Sequence, residues 1–111
     1  MKRGEIWFAD LSPTVGSEIN KRRPVLIVSN NANNRAASTV TVLPVTSNVD
    51  KIYPFEVAPS TEGSGLPRAS KAQAQQIRTI ARERVVGKVV GQLDRKTMDA
   101  VDHAIRLHLN L

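Results

Sequence analysis

The sequence predicts a mainly β (α+β) fold: a small, strongly bent antiparallel barrel closed by one C-terminal α-helix. Short runs rich in Val, Ile and Thr, separated by turn residues at irregular spacing, carry the β assignment. Only the stretch after Asp94 repeats apolar residues at sustained helical spacing. The 111 residues, 41% of them hydrophobic, suit a single domain spanning 1–111. A chain of this size buries roughly 65% of its unfolded surface, so a core forms without covalent staples.

Residues 6–11 read as a first strand, with Trp7 and Phe8 supplying bulk. Residues 12–24 form a long loop in which Pro13, Gly16 and Ser17 favour turns. Residues 25–29 are a continuous apolar strand, buried on both faces. Asn30, Asn31, Asn33 and Asn34 mark a loop. Residues 40–45 are β-branched and read as strand, 47–51 as a turn, and 53–58 as a further strand. Residues 59–67, centred on Gly63, Ser64 and Gly65, form a flexible loop. From 70 to 80, Ala and Gln favour helix while Ile77, Thr79 and Ile80 favour strand, and the second half is assigned as strand. Residues 81–84 suit one helical turn, and 85–93 a strand bent at a glycine. Asp94 caps the final helix. Met98, Val101, Ile105 and Leu109 make one apolar stripe on it, and Ala100, Ala104, Leu107 and Leu111 an adjacent one. The combined face serves either as one broad core surface or partly as contact with a second copy of the chain.

Sixteen Lys and Arg against ten Asp and Glu give a net charge of +6. Arginine dominates, and its planar fork matches phosphate oxygens where the point charge of lysine does not. A polyanionic partner such as nucleic acid follows, with simple solubility as the plainer explanation. The absence of cysteine excludes disulfides and thiolate metal sites. No apolar run has the length of a membrane span, and the N-terminus lacks a signal-type segment, so a cytoplasmic location is expected.

The stretch Gly16-Ser17-Glu18-Ile19-Asn20-Lys21-Arg22-Arg23-Pro24 is the most informative. It delivers one acid and three cations to the mouth of the strand that begins at Val25. Such an arrangement suits an anionic substrate, above all a phosphodiester.

These residues belong to a wider pattern. Arg3-Gly4-Glu5-Ile6-Trp7, Asp10-Leu11-Ser12-Pro13, Gly16-Ser17-Glu18 and Arg23-Pro24-Val25-Leu26-Ile27-Val28-Ser29-Asn30 resemble the N-terminal signature of the MazF/PemK toxins, bacterial endoribonucleases of toxin–antitoxin pairs. Val42-Leu43-Pro44-Val45-Thr46-Ser47, Tyr53-Pro54-Phe55-Glu56-Val57 and Gln76-Ile77-Arg78-Thr79-Ile80 resemble the family's later strands. The resemblance spans the chain and implies an SH3-like barrel, a homodimer and sequence-specific cleavage of single-stranded RNA without a metal or other cofactor. It further implies a cognate antitoxin whose acidic, flexible tail blocks the RNA groove.

Metal-free RNA cleavage requires loss of a proton from the 2′-hydroxyl, stabilisation of the phosphorane and protonation of the leaving 5′-oxygen. Paired histidines are the common solution, but His103 and His108 both fall in the last helix, His103 off both stripes. Arg23 matches the family's arginine before proline, and its guanidinium can hold two phosphate oxygens. Its pKa near 13 favours charge stabilisation over proton donation. Thr46 matches the family's threonine, whose hydroxyl binds the phosphate or orients the attacking group; by itself it reads as a strand former. Glu18 either accepts the 2′-hydroxyl proton or orients Arg23. Ser17, Lys21, Arg22, Trp7, Gln76 and Arg78 are the candidate RNA-binding residues. Two cations at Lys21 and Arg22 depart from the small residues common in the family there. Trp7, Tyr53 and Phe55 are able to stack on bases, while Phe8 and Phe55 are expected in the core. Asn33, Asn34 and Arg35 read as turn formers before base readers. Two other functions compete: a non-catalytic toxin of the same barrel that binds DNA gyrase, and a basic nucleic-acid-binding module. Glu18, Arg23 and Thr46 together favour the nuclease.

Overall fold

The computed structural model describes residues 1–18 and 21–111; Ile19 and Asn20, within the stretch singled out above, lie outside the described residues. The strands are β1 (Glu5–Asp10), β2 (Arg22–Ile27), β3 (Thr39–Thr46), β4 (Glu56–Val57), β5 (Lys71–Gln73), β6 (Arg78–Ala81) and β7 (Val85–Gln92). The helices are α1 (Asn31–Ala36), α2 (Thr61–Ser64) and α3 (Arg95–Leu109), with 3₁₀ turns at Ala74–Gln76 and Arg82–Arg84. Every strand pair is antiparallel, in the order β4-β5-β3-β2-β1-β7, with β6 also pairing β3. The sheet is barrel-like and open: among the described residues β4 and β7 do not pair. Among the described residues, no helix is long and apolar enough to cross a membrane.

The continuous apolar run of β2 is buried on both faces. Leu26 and Val28 join Ile6, Leu43, Val45, Met98, Val101 and Ala104 beneath α3. Val25 and Ile27 join Ala9, Leu11, Val40, Val42 and Ile80 on the other side. At about 1.5–3 kcal/mol per fully buried aliphatic side chain, these two clusters are the main favourable term in folding. The bend expected in the last strand is a bulge. Ile6 pairs Gly91 and Phe8 pairs Val86, so β7 inserts extra residues there, with Gly87 at φ +78°.

Several elements differ from the sequence expectation. The asparagine cluster after β2 is a helix, α1. Asn30 caps it by accepting from the Asn33 N–H at 2.8 Å. Asn34 is buried and donates to the Ser29 carbonyl at 2.9 Å, so local polar bonding builds the helix that composition argued against. Residues 59–67 are likewise ordered. Ser60 caps α2 and Gly65 ends it in the left-handed region at φ +71°. A Cβ on Gly65 would lie 2.1 Å from the Val90 carbonyl oxygen, so α2 meets β7 backbone to backbone. The strand expected at 53–58 shrinks to Glu56–Val57, because Pro54 lacks a donor and Glu56 N–H turns back to Tyr53 O. The first half of 70–80 contains β5, against the helical propensity of its residues. On α3, Met98, Val101 and Ala104 are buried while Ala100, Leu107, Leu109 and Leu111 are exposed. The buried row thus takes Ala104 from the second stripe and leaves Leu109 outside.

One buried carboxylate organises the β4–β5 corner. Glu56 accepts from Tyr53 N–H and Lys71 Nζ on one oxygen, both at 2.9 Å. Its other oxygen accepts from Gln73 Nε2 at 3.1 Å and Gln75 Nε2 at 2.7 Å. Burial alone would raise its pKa, but these donors outweigh it and lower the pKa from 4.5 to about 2. A depressed carboxylate stabilises the fold above the unfolded-state pKa and loses that contribution as pH falls through the folded one. Here the window runs from about 4.5 down to about 2, and the contribution is on the order of 3 kcal/mol. Glu56→Gln should therefore be destabilised by about 3–5 kcal/mol at neutral pH, because Lys71 loses its counter-ion. In urea unfolding the gap to the parent protein should narrow steadily below about pH 4.5. A gap independent of pH would contradict this assignment.

Candidate active site

Arg23 stands inside β2, one residue past the strand's start, and not on the preceding loop. It is half-buried and pairs with Ala9 of β1. On its other side β2 meets β3 with Val25 opposite Pro44. Carried two residues further, that register sets Arg23 level with Thr46, the last residue of β3. Thr46 in turn pairs with Lys71 of β5. Arg23 beside Ala9 and Thr46 beside Lys71 thus lie at neighbouring ends of β2 and β3, two residues beyond the last β2–β3 pair. The Thr46 hydroxyl accepts from Asn48 N–H at 3.3 Å, which leaves its own proton available to an acceptor. The two residues that sequence separates by a helix and most of a strand thus come to adjacent strand ends.

A slot of about 300 Å³ opens beside Arg23. Phe8, Pro24, Val45 and Leu66 make its apolar wall, while Arg23, Arg68, Ser47 and Ser70 supply cations and hydroxyls. An apolar wall with a few converging polar groups is what a small planar ligand carrying a phosphate requires. The Arg22 guanidinium lies 5.7 Å from the Phe8 ring centroid, adding a cation near the slot. Arg68 and Ser70 carry no sequence signal: Arg68 follows a stretch read as a flexible loop, and serines beside strands are ordinary; Ser47 falls within the family-like stretch 42–47, with no role assigned to it.

The remaining candidates are scattered. Ser17 and Glu18 are exposed in the loop before β2. The Glu18 carboxylate accepts from Val15 N–H at 2.9 Å, closing a turn of its own loop. Lys21 is exposed, in the left-handed region at φ +67°. Its N–H donates to Ser12 Oγ at 2.8 Å, and its carbonyl accepts from Leu11 N–H at 3.0 Å. Trp7 is half-buried on β1, its Nε1–H bonded to Glu5 at 3.1 Å, and packs on the second core cluster. Gln76 is half-buried in a 3₁₀ turn. Arg78 pairs Val42, roughly 13 Å along β3 from Thr46, and its guanidinium donates to Leu11 O at 3.2 Å. Asn33 and Asn34 spend their side chains on the Thr39 and Ser29 carbonyls, which makes them structural. His103 is exposed on α3, and His108 meets the Phe55 ring at 6.2 Å. Phe55 also stacks in parallel on Tyr53 at 5.4 Å. Among the described residues, no three His, Asp or Glu side chains gather to hold a metal ion.

A larger cleft, of about 620 Å³, lies elsewhere, beside α1 and α3. It contains the Arg3–Asp102 ion pair and the apolar residues Ile77, Ile105 and Leu111. Its size exceeds that of the slot; of its two arginines, Arg3 is paired with the Asp102 carboxylate and Arg106 is exposed on α3.

The family model for PemK-like, MazF-like toxins of type II toxin–antitoxin systems matches residues 2–109. The chain is 46% identical over 116 residues to "Endoribonuclease MazF9" of Mycobacterium tuberculosis, covering 100% of this chain and 98% of that one. It is 40% identical over 112 residues to "Endoribonuclease EndoA" of Bacillus subtilis, covering 100% and 96%. A solved mycobacterial endoribonuclease in complex with its cognate antitoxin superposes with a TM-score of 0.82 at 27% identity, over 100% of this chain and 96% of that one. The Deinococcus radiodurans MazF structure superposes with a TM-score of 0.86 at 24% identity, over 100% and 97%, a likeness of fold. With a family model matched over residues 2–109 and full-length relatives at 40% and 46% identity, the chain belongs to the PemK-like, MazF-like toxins of type II toxin–antitoxin systems.

Proposed function

We propose that this chain is a metal-independent, sequence-specific endoribonuclease that cuts single-stranded RNA in the cytoplasm and leaves 2′,3′-cyclic phosphate and 5′-hydroxyl ends. The observation that supports the reading is the β2–β3 register, which brings the strand ends carrying Arg23 and Thr46 side by side, with Arg23 lining a slot of about 300 Å³. In the reaction the RNA 2′-oxygen bonds to the adjacent phosphorus as the bond from phosphorus to the 5′-oxygen breaks, and the departing 5′-oxygen takes a proton from solvent water. Charge accumulates on the non-bridging oxygens, where a guanidinium fork is complementary. Thr46 donates to the same phosphate. Glu18 takes the 2′-hydroxyl proton or orients Arg23, which requires it to give up its bond to Val15 N–H. Guanidiniums and hydroxyls around the slot are donors to phosphate oxygens and poor metal ligands, which supports chemistry without a metal.

The partners follow the same physics. Exposed Lys21, Arg22 and Arg68 and the net charge of +6 suit an RNA backbone and equally the acidic tail of an antitoxin. One relative of this fold was solved with its cognate antitoxin. Leu107, Leu109 and Leu111 stand about half or more exposed at the end of α3 and supply an apolar surface for a homodimer.

Purified protein incubated with a long transcript in EDTA should yield discrete fragments with 5′-hydroxyl ends, read by end mapping. Uncut RNA across a broad panel of transcripts would overturn the proposal. Arg23→Ala should lower the single-turnover rate by a factor of roughly 10³ or more, on the scale of removing one charge-stabilising donor, with the folded dimer retained on size-exclusion chromatography. A rate near that of the parent protein would remove Arg23 from the chemistry.

A further inference from the structure

We propose that Arg84 and Arg78 are positioning residues that lock the neck of the loop between β1 and β2, and so fix loop residues Ser17 and Glu18 relative to Arg23. The inference rests on the ribonuclease reading above and concerns the bonds these two arginines make to the backbone.

Three consecutive carbonyls at the end of β1 point toward guanidiniums. Arg84 Nη1 donates to Asp10 O at 3.1 Å and also to Ser12 O. Arg78 Nη1 donates to Leu11 O between them. Both arginines arrive from outside the loop: Arg78 opens β6, and Arg84 ends the 3₁₀ turn that leads into β7. Val85 pairs Ala9, so Arg84 continues the β7–β1 ladder by one position and stands beside Asp10. Charge-assisted bonds of this kind are roughly twice as strong as neutral ones.

The opposite side of the neck is tied to the same carbonyl run. Leu11 N–H donates to Lys21 O at 3.0 Å, and Lys21 N–H donates to Ser12 Oγ at 2.8 Å. Ser12 N–H is held by the Asp10 carboxylate at 3.0 Å. Lys21 sits at φ +67°, a conformation that a non-glycine residue keeps only where its surroundings impose it. The next residues are Arg22 and Arg23. The neck therefore decides the direction in which the chain enters β2, while the loop hung from it carries Ser17 and Glu18. Two guanidiniums from β6 and the β7 entry clamp the first strand of that neck, and the neck sets the geometry of the site.

The test compares the parent protein with Arg84→Ala and Arg84→Lys. The first measurement needs no activity: amide hydrogen exchange at Leu11 and Lys21. Arg84→Ala should speed exchange there at least tenfold and leave the amides of β3 unchanged. Unchanged exchange at the neck would overturn the clamp, whether or not the protein cuts RNA. The second uses a single-stranded RNA carrying the site mapped for the parent protein, and the same RNA with a 2′-deoxy sugar at the cut. Arg84→Ala should lower the single-turnover rate at saturating RNA at least tenfold, with affinity for the deoxy RNA within about threefold. Arg84→Lys should recover part of the rate. An unchanged rate, or a loss of affinity with an unchanged rate, would contradict positioning. If the parent protein cuts no RNA, the ribonuclease reading falls while the exchange result still decides the clamp.

Discussion

The register of β2 against its two neighbours is the constraint on which this molecule depends. A strand buried on both faces cannot slip by one residue without exchanging its two core sets. Val25 and Ile27 belong to one cluster and Leu26 and Val28 to the other, so a slip would misplace all four at once. The same locked register fixes what happens at the solvent end of the strand. There it brings the ends of β2 and β3 that carry Arg23 and Thr46 side by side. The geometry of the candidate site is therefore maintained by the hydrophobic core, which begins two residues after Arg23.

Charge is handled in two opposite ways. At the β4–β5 corner Glu56 and Lys71 are withdrawn from water and saturated with hydrogen bonds, which ties a two-residue strand and a three-residue strand to the sheet. Around Arg23 the cations reach solvent or the slot, with Arg22 and Arg68 nearby. A third group of arginines serves the backbone: Arg78, Arg82 and Arg84 donate to carbonyls of β1, the following loop and α1. The basic excess thus divides between ligand-facing cations and structural donors, a division that net charge alone does not reveal.

Much of the architecture was legible because strong local signals agreed with the tertiary outcome. The apolar run at β2, the β-branched run at β3 and the Asp94 cap of α3 appear where periodicity and capping place them. The misread segments share a different cause. At α1 and α2 the decisive bonds come from Asn30, Asn34 and Ser60 side chains, residue types that mark turns as readily as helix starts. At β5 the stabilising contact is with Glu56, fifteen residues before Lys71 and outside any local window. The site divides in the same way. Arg23 and Thr46 were named through the family resemblance, whereas their adjacency required the sheet. Arg68 and Ser70 reach the slot only because the segment before them folds back, and Arg84 reaches the loop neck only through the β7–β1 ladder.

The claim at the centre of this account is that Arg23 and Thr46 act on one phosphate as neighbours. A double-mutant cycle on the single-turnover cleavage rate, with Arg23→Ala, Thr46→Ala and both together, tests it directly. The account predicts strong non-additivity, with the double variant little slower than the Arg23 variant alone. Independent losses that add in free energy would contradict it.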